Sequence, residues 1–334
     1  MAANVEPNQV GKREDLADYI SNIDARATPL MTMIPKGPSP KSMLVEWQAD
    51  EYDKPKMEGV PDGKDVPSYE NAGEHRAMLA GRAQKMWRPW LVGDLAENVS
   101  DVAGLRSERA NSIAKKLVEL KRDGEAVIGS DNESQEDNNV DGSKTRGLGK
   151  WIQATAQNDL PVPAAFRTPA AQVTTAALNV ITESAVNDIM QSLHDITGES
   201  KRYIGVFGSK LRSRFTQFAL VVPQGSEEAV VRQFTQQATS KKVVNTIDVY
   251  EGDFGTIEIV TSNFLNVDPT TRVSDKRRGY LLDMNLLELG FRRRPGNRDL
   301  PDLGGGPRGV IDMIFCLKAK NPTGLAKFAS TADS

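Results

Sequence analysis

The sequence predicts an α+β fold whose body is discontinuous along the chain, on three observations. A long two-stranded excursion over residues 43–92 has little of its own to bury. A helix with one apolar stripe follows it over 94–129, and strand-like segments at 279–291 and 308–320 close the chain. The early strands need partners, and the closing strands can supply them, so both are expected to meet in one sheet.

The elements follow in order. Residues 12–24, "KREDLADYISNID", place Leu16, Tyr19, Ile20 and Ile23 on one helical face. The proline-broken "TPLMTMIP" is apolar yet too short to form a core, so it reads as an arm that folds against something else. "SMLVEWQADEY" and "HRAMLAGRAQKMWRPWLV" are strand-like, and "DKPKMEGVPDGKDVPSYENAGE" between them is the exposed tip. In the long helix Asp94 can cap the start with Glu97 three residues on, and Leu95, Val99, Val102, Leu105, Ile113, Leu117 and Leu120 form the stripe. About 35 residues would span on the order of 50 Å. Gly104 inside it predicts a kink or break.

Beyond the helix, the polar run 130–146 reads as a flexible surface loop. A second amphipathic helix over 174–197 carries Leu178, Ile181, Val186, Ile189, Leu193 and Ile196 and stops at Gly198. A buried strand, "RYIGVFG", and a basic helix, "SKLRSRFTQF", come next. "NTIDVYEGDFGTIEIVTS" reads as a hairpin turning at Glu251–Gly255, and the polar "RRRPGNRDLPDLGGGP" separates the two closing strands.

Composition excludes several classes of function. The 334 residues are 39% hydrophobic and 26% charged, enough to bury a core, with a net charge of −3. That balance argues against a dedicated nucleic-acid binder. The single cysteine, Cys316, excludes an internal disulfide and any cysteine-rich zinc site, and it is expected to be an inert buried thiol. "MAANVEPNQV" lacks the apolar region of a secretory leader, and no stretch approaches the ~20 apolar residues of a membrane span. The chain is therefore expected to fold in a cytoplasm.

No catalytic constellation emerges. His75 and His194 each lack a Cys or second His at ligand spacing. "DGSKTRGLGK" fails the phosphate-loop pattern, because Leu148 follows Gly147, Trp151 follows Lys150, and no strand precedes it. "GGGPRG" at 304–309 runs into a strand and reads as a turn. The clusters at 276–278 and at Arg292, Arg293 and Arg294 could touch phosphate, but read better as a solvated face or as inter-subunit ion pairs with acidic runs such as "ESQED". Trp47, Trp87 and Trp90 could stack nucleobases or, more commonly, anchor a packed surface.

The order of elements resembles a known family. "REDLADYISNIDARATPLMTMIPKG", "SMLVEWQADEY", "VYEGDFGTIEIVTSNFL" and "YLLDMNLLELGFRR" are similar to segments of the major capsid proteins of tailed bacteriophages, over about residues 11–328. "TPLMTMI" and "DFGTIEIV" are the most specific parts. The resemblance implies the Hong Kong 97-type capsid fold. Residues 1–42 would then be an N-terminal arm, 43–92 the E-loop and its flanking strands, and 93–174 a P-domain with a long spine helix and polar loop. Residues 175–299 would be mostly the A-domain, and 300–334 the returning P-domain strand and tail.

It further implies a structural protein, not an enzyme and without cofactors. Hexamers and pentamers would build an icosahedral shell around double-stranded DNA without gripping it specifically, within the virion and assembled in the host bacterial cytoplasm. A portal and scaffolding or decoration proteins would be partners, and no membrane is involved. No helical scaffolding segment precedes the arm, which implies a separate scaffolding protein or none. The residues expected at contacts between subunits are Leu30, Met31, Met33, Ile34, Trp47, Trp87, Trp90, Arg292, Arg293 and Arg294. The alternative readings are a DNA-binding module using Arg292–Arg294, or an α+β enzyme.

Overall fold

A computed structural model of the protein describes residues 27–71, 73–98, 107–218, 220–221, 230–231, 248–268 and 270–333. The helix expected over 12–24, and Gly104 with its expected kink, lie outside these residues.

The described chain opens with a short helix, α1 (Pro29–Met33), started by Pro29 at its first position, and a two-residue strand, β1 (Lys36–Gly37). Strands β2 (Leu44–Ala49) and β3 (Ala77–Arg82) pair antiparallel, from Leu44 with Arg82 to Ala49 with Ala77. Between them every described residue from 50 to 76 is exposed, as the Pro- and Gly-rich composition predicts. The strand expected over 75–92 is two strands. β3 ends at Arg82, buried Ala83 intervenes, and β4 (Gln84–Leu91) enters a different sheet.

The single helix expected over 94–129 is also divided. Helix α2 (Asp94–Asn98) stands before α3 (Glu108–Ile128), and Ser107 between them is extended at φ −161° and ψ 120°. The Ser107 hydroxyl caps α3 by accepting the Ala110 N–H at 3.2 Å. Glu97, rather than completing a capping box with Asp94, serves α3. Its carboxylate accepts the Ser107 hydroxyl at 2.7 Å and the Arg109 N–H at 3.0 Å.

Past α4 (Leu148–Trp151) and β5 (Val173–Thr174), helix α5 (Glu183–Thr197) begins where the Thr182 hydroxyl accepts the Ala185 N–H. It ends at Gly198, whose φ of 69° is the left-handed cap that favours glycine. Strand β6 (Lys201–Phe207), helix α6 (Ser209–Gln217) and the paired β7 (Leu220–Val221) and β8 (Val230–Val231) follow. β9 (Val249–Gly252) and β10 (Gly255–Thr261) form the expected hairpin, turning at Asp253–Phe254.

The last strands are β11 (Gly279–Leu282), β12 (Leu287–Leu300), β13 (Arg308–Ala319) and β14 (Ala326–Phe328). The segment 279–291 is therefore not one strand. Asp283 accepts the Asn285 N–H at 2.9 Å and turns the chain between β11 and β12. The polar stretch after Phe291 is largely strand, because two register shifts, between Phe291 and Arg293 and between Arg293 and Gly296, absorb Pro295 as bulges.

Among the described residues the two larger sheets are ordered β1-β12-β13-β4 and β5-β14-β11-β6-β10-β9, beside the two-stranded pairs β2-β3 and β7-β8. The early and closing strands do meet in one sheet, through β4 on β13, while β2 and β3 stay apart as a ribbon. Within the segment 175–299, β12 lies in the four-stranded sheet beside β13, apart from β6, β9, β10 and β11. One core joins that sheet to α1 and α3 through Leu30, Ile34, Leu120, Ile128, Met313 and Phe315. A second packs α5 and α6 on the six-stranded sheet through Val186, Leu193, Tyr203, Phe207, Phe215 and Ile257.

The loop 130–146 is only partly superficial. Arg146 and Thr145 are buried. The Arg146 guanidinium lies 4.5 Å from the centroid of Trp151, pairs with Glu133 at 2.9 Å and donates to the Leu160 carbonyl at 3.0 Å. Its Nε and Nη2 donors are taken up in this way, while Nη1 is buried without a hydrogen-bond acceptor in a group stacked on the indole.

Candidate functional site

The apolar arm is built into its own chain. Leu30, Met31 and Ile34 are buried, and Met33 is half-buried. The sequence suggested cover from a neighbouring subunit; in the structure these three side chains are covered by their own chain. The cause is a carboxylate on α3. Glu125 is fully buried and accepts the backbone N–H groups of Leu30 at 2.9 Å and Met31 at 2.7 Å. The Ser262 hydroxyl donates to the same carboxylate at 3.2 Å. Lys36 closes the other end of α1 by donating to the carbonyls of Met31 and Ile34. Burial pushes the Glu125 carboxyl above its ordinary value, further than these hydrogen bonds and the Lys36 charge bring it down.

Neighbouring Gly124 permits the close approach. A Cβ there would stand 2.8 Å from Met313 Cε and 3.2 Å from Met31 Sδ. The adaptable methionines thus fill the seam between α1, α3 and β13.

The tryptophans divide. Trp47 is half-buried with its ring 5.6 Å from Trp151, and Trp90 is buried with Nε1 donating to Asn297 Oδ1 at 2.7 Å. Both anchor the fold of this chain. Trp87 is 64% exposed and remains a surface residue.

The three arginines do not form one free basic face. Arg292 donates to the Pro40 carbonyl at 3.0 Å, and Arg293 pairs with buried Asp312. Arg294 is exposed. Sequence reasoning missed Glu125, Asp312 and the Arg88–Asp123 pair, in which two guanidinium nitrogens lie 2.6 Å from the two carboxylate oxygens. A readable signal existed for Glu125, which sits beside Gly124 and three residues before Ile128, on the buried side of its helix.

Nothing catalytic gathers around these features. Among the described residues no group of His, Cys, Asp and Glu converges as metal ligands. The nearest acidic neighbours of His75 and His194 are Asp53 and Asp195, each at 3.8 Å. Burial pushes the Cys316 thiol up to about 12, so it stays protonated and unreactive. What the surface does offer is the loop 50–76, where Tyr52, Met57 and Tyr69 are almost wholly exposed.

Residues 3–332 match the SU10 major capsid protein family. The chain belongs to that family. It is thus a major capsid protein of tailed phages, a structural component of the virion and not an enzyme, and the family's members assemble into an oligomeric shell.

Solved capsid structures share the fold of this capsid protein. The cyanophage A-1(L) capsid asymmetric unit aligns over 97% of this chain and 98% of that one, at 12% identity and a TM-score of 0.63. Gordonia phage Cozz aligns over 96% and 92%, at 11% identity and a TM-score of 0.62. The capsid of a native GTA particle aligns over 96% of each chain, at 12% identity and a TM-score of 0.61. Identities this low speak for fold alone. No curated protein matches the capsid protein significantly.

Proposed function

We propose that this capsid protein forms hexamers and pentamers that close into an icosahedral shell around double-stranded DNA, with the loop 50–76 reaching across to a neighbouring subunit. The observation that carries this reading is the loop itself. Met57 is 97% and Tyr69 92% exposed, on a segment whose described residues form no helix or strand and bury no side chain. Covering these groups on another copy would recover the apolar burial that the chain alone forgoes, roughly 1.5–3 kcal/mol for a fully covered large side chain. Modest contacts repeated around a shell add to a stable whole while letting misplaced subunits leave.

In this reading residues 1–42 form the N-terminal arm, with α1 as its fixed root, and 43–92 the E-loop with its flanking strands. The P-domain comprises 93–174, with α3 as spine helix, joined by β12 and the strand within 300–334. The A-domain is centred on the six-stranded sheet. A portal and scaffolding or decoration proteins would complete the particle, assembled in the host bacterial cytoplasm.

The net charge of −3 and the internal engagement of Arg292 and Arg293 support a wall that encloses DNA without gripping each phosphate. The same engagement counts against a DNA-binding module at Arg292–Arg294.

Replacing residues 54–70 by a short Gly/Ser linker tests the proposal. The shortened chain should fold, because nothing in that stretch is buried, and should fail to form shells under conditions where the parent does. Normal shells from the shortened chain would refute the role of the loop.

A further inference from the structure

The outer face of the four-stranded sheet carries a second unpartnered surface. Along β4, Lys85, Trp87 and Pro89 are exposed, while the alternate residues turn toward α3. The register sets Trp87 opposite Asp312 on β13 and Asp312 opposite Gly296 on β12. Glycine adds no side chain to that row, and a Cβ at 296 would meet nothing nearer than 3.7 Å. From the adjacent rows Arg293 and Arg298 both bring guanidinium groups to Asp312 Oδ2, Arg298 at 3.5 Å. Lys85 Nζ stands 5.0 Å from the Trp87 ring centroid. An exposed indole with a lysine at its side therefore stands next to a buried carboxylate that two arginines engage.

The chain also carries a complement to this surface. In the acidic loop after α3, Asn138 Oδ1 accepts the N–H groups of Val140 at 3.0 Å and Asp141 at 2.6 Å. The Asn138 N–H donates to the Asp141 carbonyl at 3.2 Å, closing the tip. Val140 is left 91% exposed between Asp137 and Asp141, and among the described residues neither carboxylate pairs with a cation. An apolar knob flanked by two negative charges is thus held out from the body.

We infer that the tip 137–141 of one copy docks on the Trp87 face of another, with Val140 against the indole above Gly296 and its two aspartates among Lys85, Arg293 and Arg298. The inference rests on the assembly reading above and names a contact separate from the loop 50–76. Every copy carries both halves, so the contact is head-to-tail, the kind that closes rings. Nucleic acid suits the face less well. Asp312 already neutralises part of its arginine charge, and the neighbours of the indole, Pro89 and Ile314, are apolar.

The test is a charge exchange at two positions outside both cores, Lys85→Glu on the face and Asp141→Lys on the tip. Each single variant should raise the concentration at which shells appear about fivefold at low ionic strength, with unchanged melting temperature, and the double variant should return to within about twofold of the parent. Singles that assemble like the parent, or a double no better than its singles, would overturn the contact while leaving shell assembly intact. Loss of affinity for a duplex DNA oligonucleotide with assembly unchanged would overturn it in favour of a nucleic-acid surface. A parent that never assembles would contradict the assembly reading and this contact together.

Discussion

Leu30 donates its backbone N–H to Glu125 Oε1 at 2.9 Å, joining residues 95 positions apart in sequence. With the second bond from Met31 to Oε2, a side chain of α3 caps the start of α1. Helix α1 is thereby fixed to the long helix by a buried carboxyl group in place of a capping side chain of its own, since Thr28 makes no such bond.

Removing that acceptor should be costly. Glu125→Ala leaves two buried amides unsatisfied and a void beside Gly124, and is expected to destabilise the unassembled chain by about 3 kcal/mol. Glu125→Gln keeps one oxygen and should cost about half as much at neutral pH. Urea unfolding of chains held unassembled by the shortened loop measures both.

The same group predicts a pH dependence. Its folded pKa lies above the ordinary value of 4.5 because burial disfavours the charge. Its contribution is therefore fully present below about 4.5 and is lost as pH rises through the folded pKa. The stability of the parent relative to Glu125→Gln should fall over that window and then level off. A relative stability that rises with pH there would show that the hydrogen bonds outweigh burial.

Arg88 and Asp123 join β4 to α3 through two parallel 2.6 Å bonds. The pair is about one-third exposed at Arg88, so screening limits it, and a double-mutant cycle with alanine at both sites should give a coupling of about 1 kcal/mol. Additive single effects would mean that the pair is incidental to the packing of sheet on helix.

Exposed apolar groups of the loop should matter to assembly and not to folding. Tyr52→Ser, Met57→Ser and Tyr69→Ser are each expected to leave monomer stability within about 0.5 kcal/mol. Each should raise the protein concentration needed for shells, as followed by light scattering.

Much of this architecture was legible in local sequence. The body and end of helix α5 announce themselves by apolar spacing and Gly198, but its start does not. The helix expected over 174–197 begins only at Glu183, leaving Leu178 and Ile181 before it. The β9–β10 hairpin shows as alternation on either side of a tight turn. The exposed excursion 50–76 follows from its prolines, glycines and charges. The breaks were hidden, because each is set by a distant partner or by one local bond. Ala83 is the step from the ribbon to the main sheet, Asp283 turns one apolar run into two strands of different sheets, and Ser107 and Glu97 split what reads as a single helix. The arm was misplaced for the same reason. "TPLMTMIP" looks unpartnered until Gly124 and Glu125 are brought beneath it; helical spacing marks their side of α3 as buried but does not say which segment covers it. Likewise Trp47, Trp87 and Trp90 look alike in sequence, yet strand alternation and neighbouring Trp151 and Asn297 leave Trp87 alone strongly exposed.

Sedimentation velocity on the purified full-length chain, with electron micrographs of the fast-moving material, addresses the central claim most directly. Rings of five or six, sheets or closed shells are the predicted result. A strictly monomeric or dimeric species at high concentration, even after co-expression with a scaffolding protein, would contradict it.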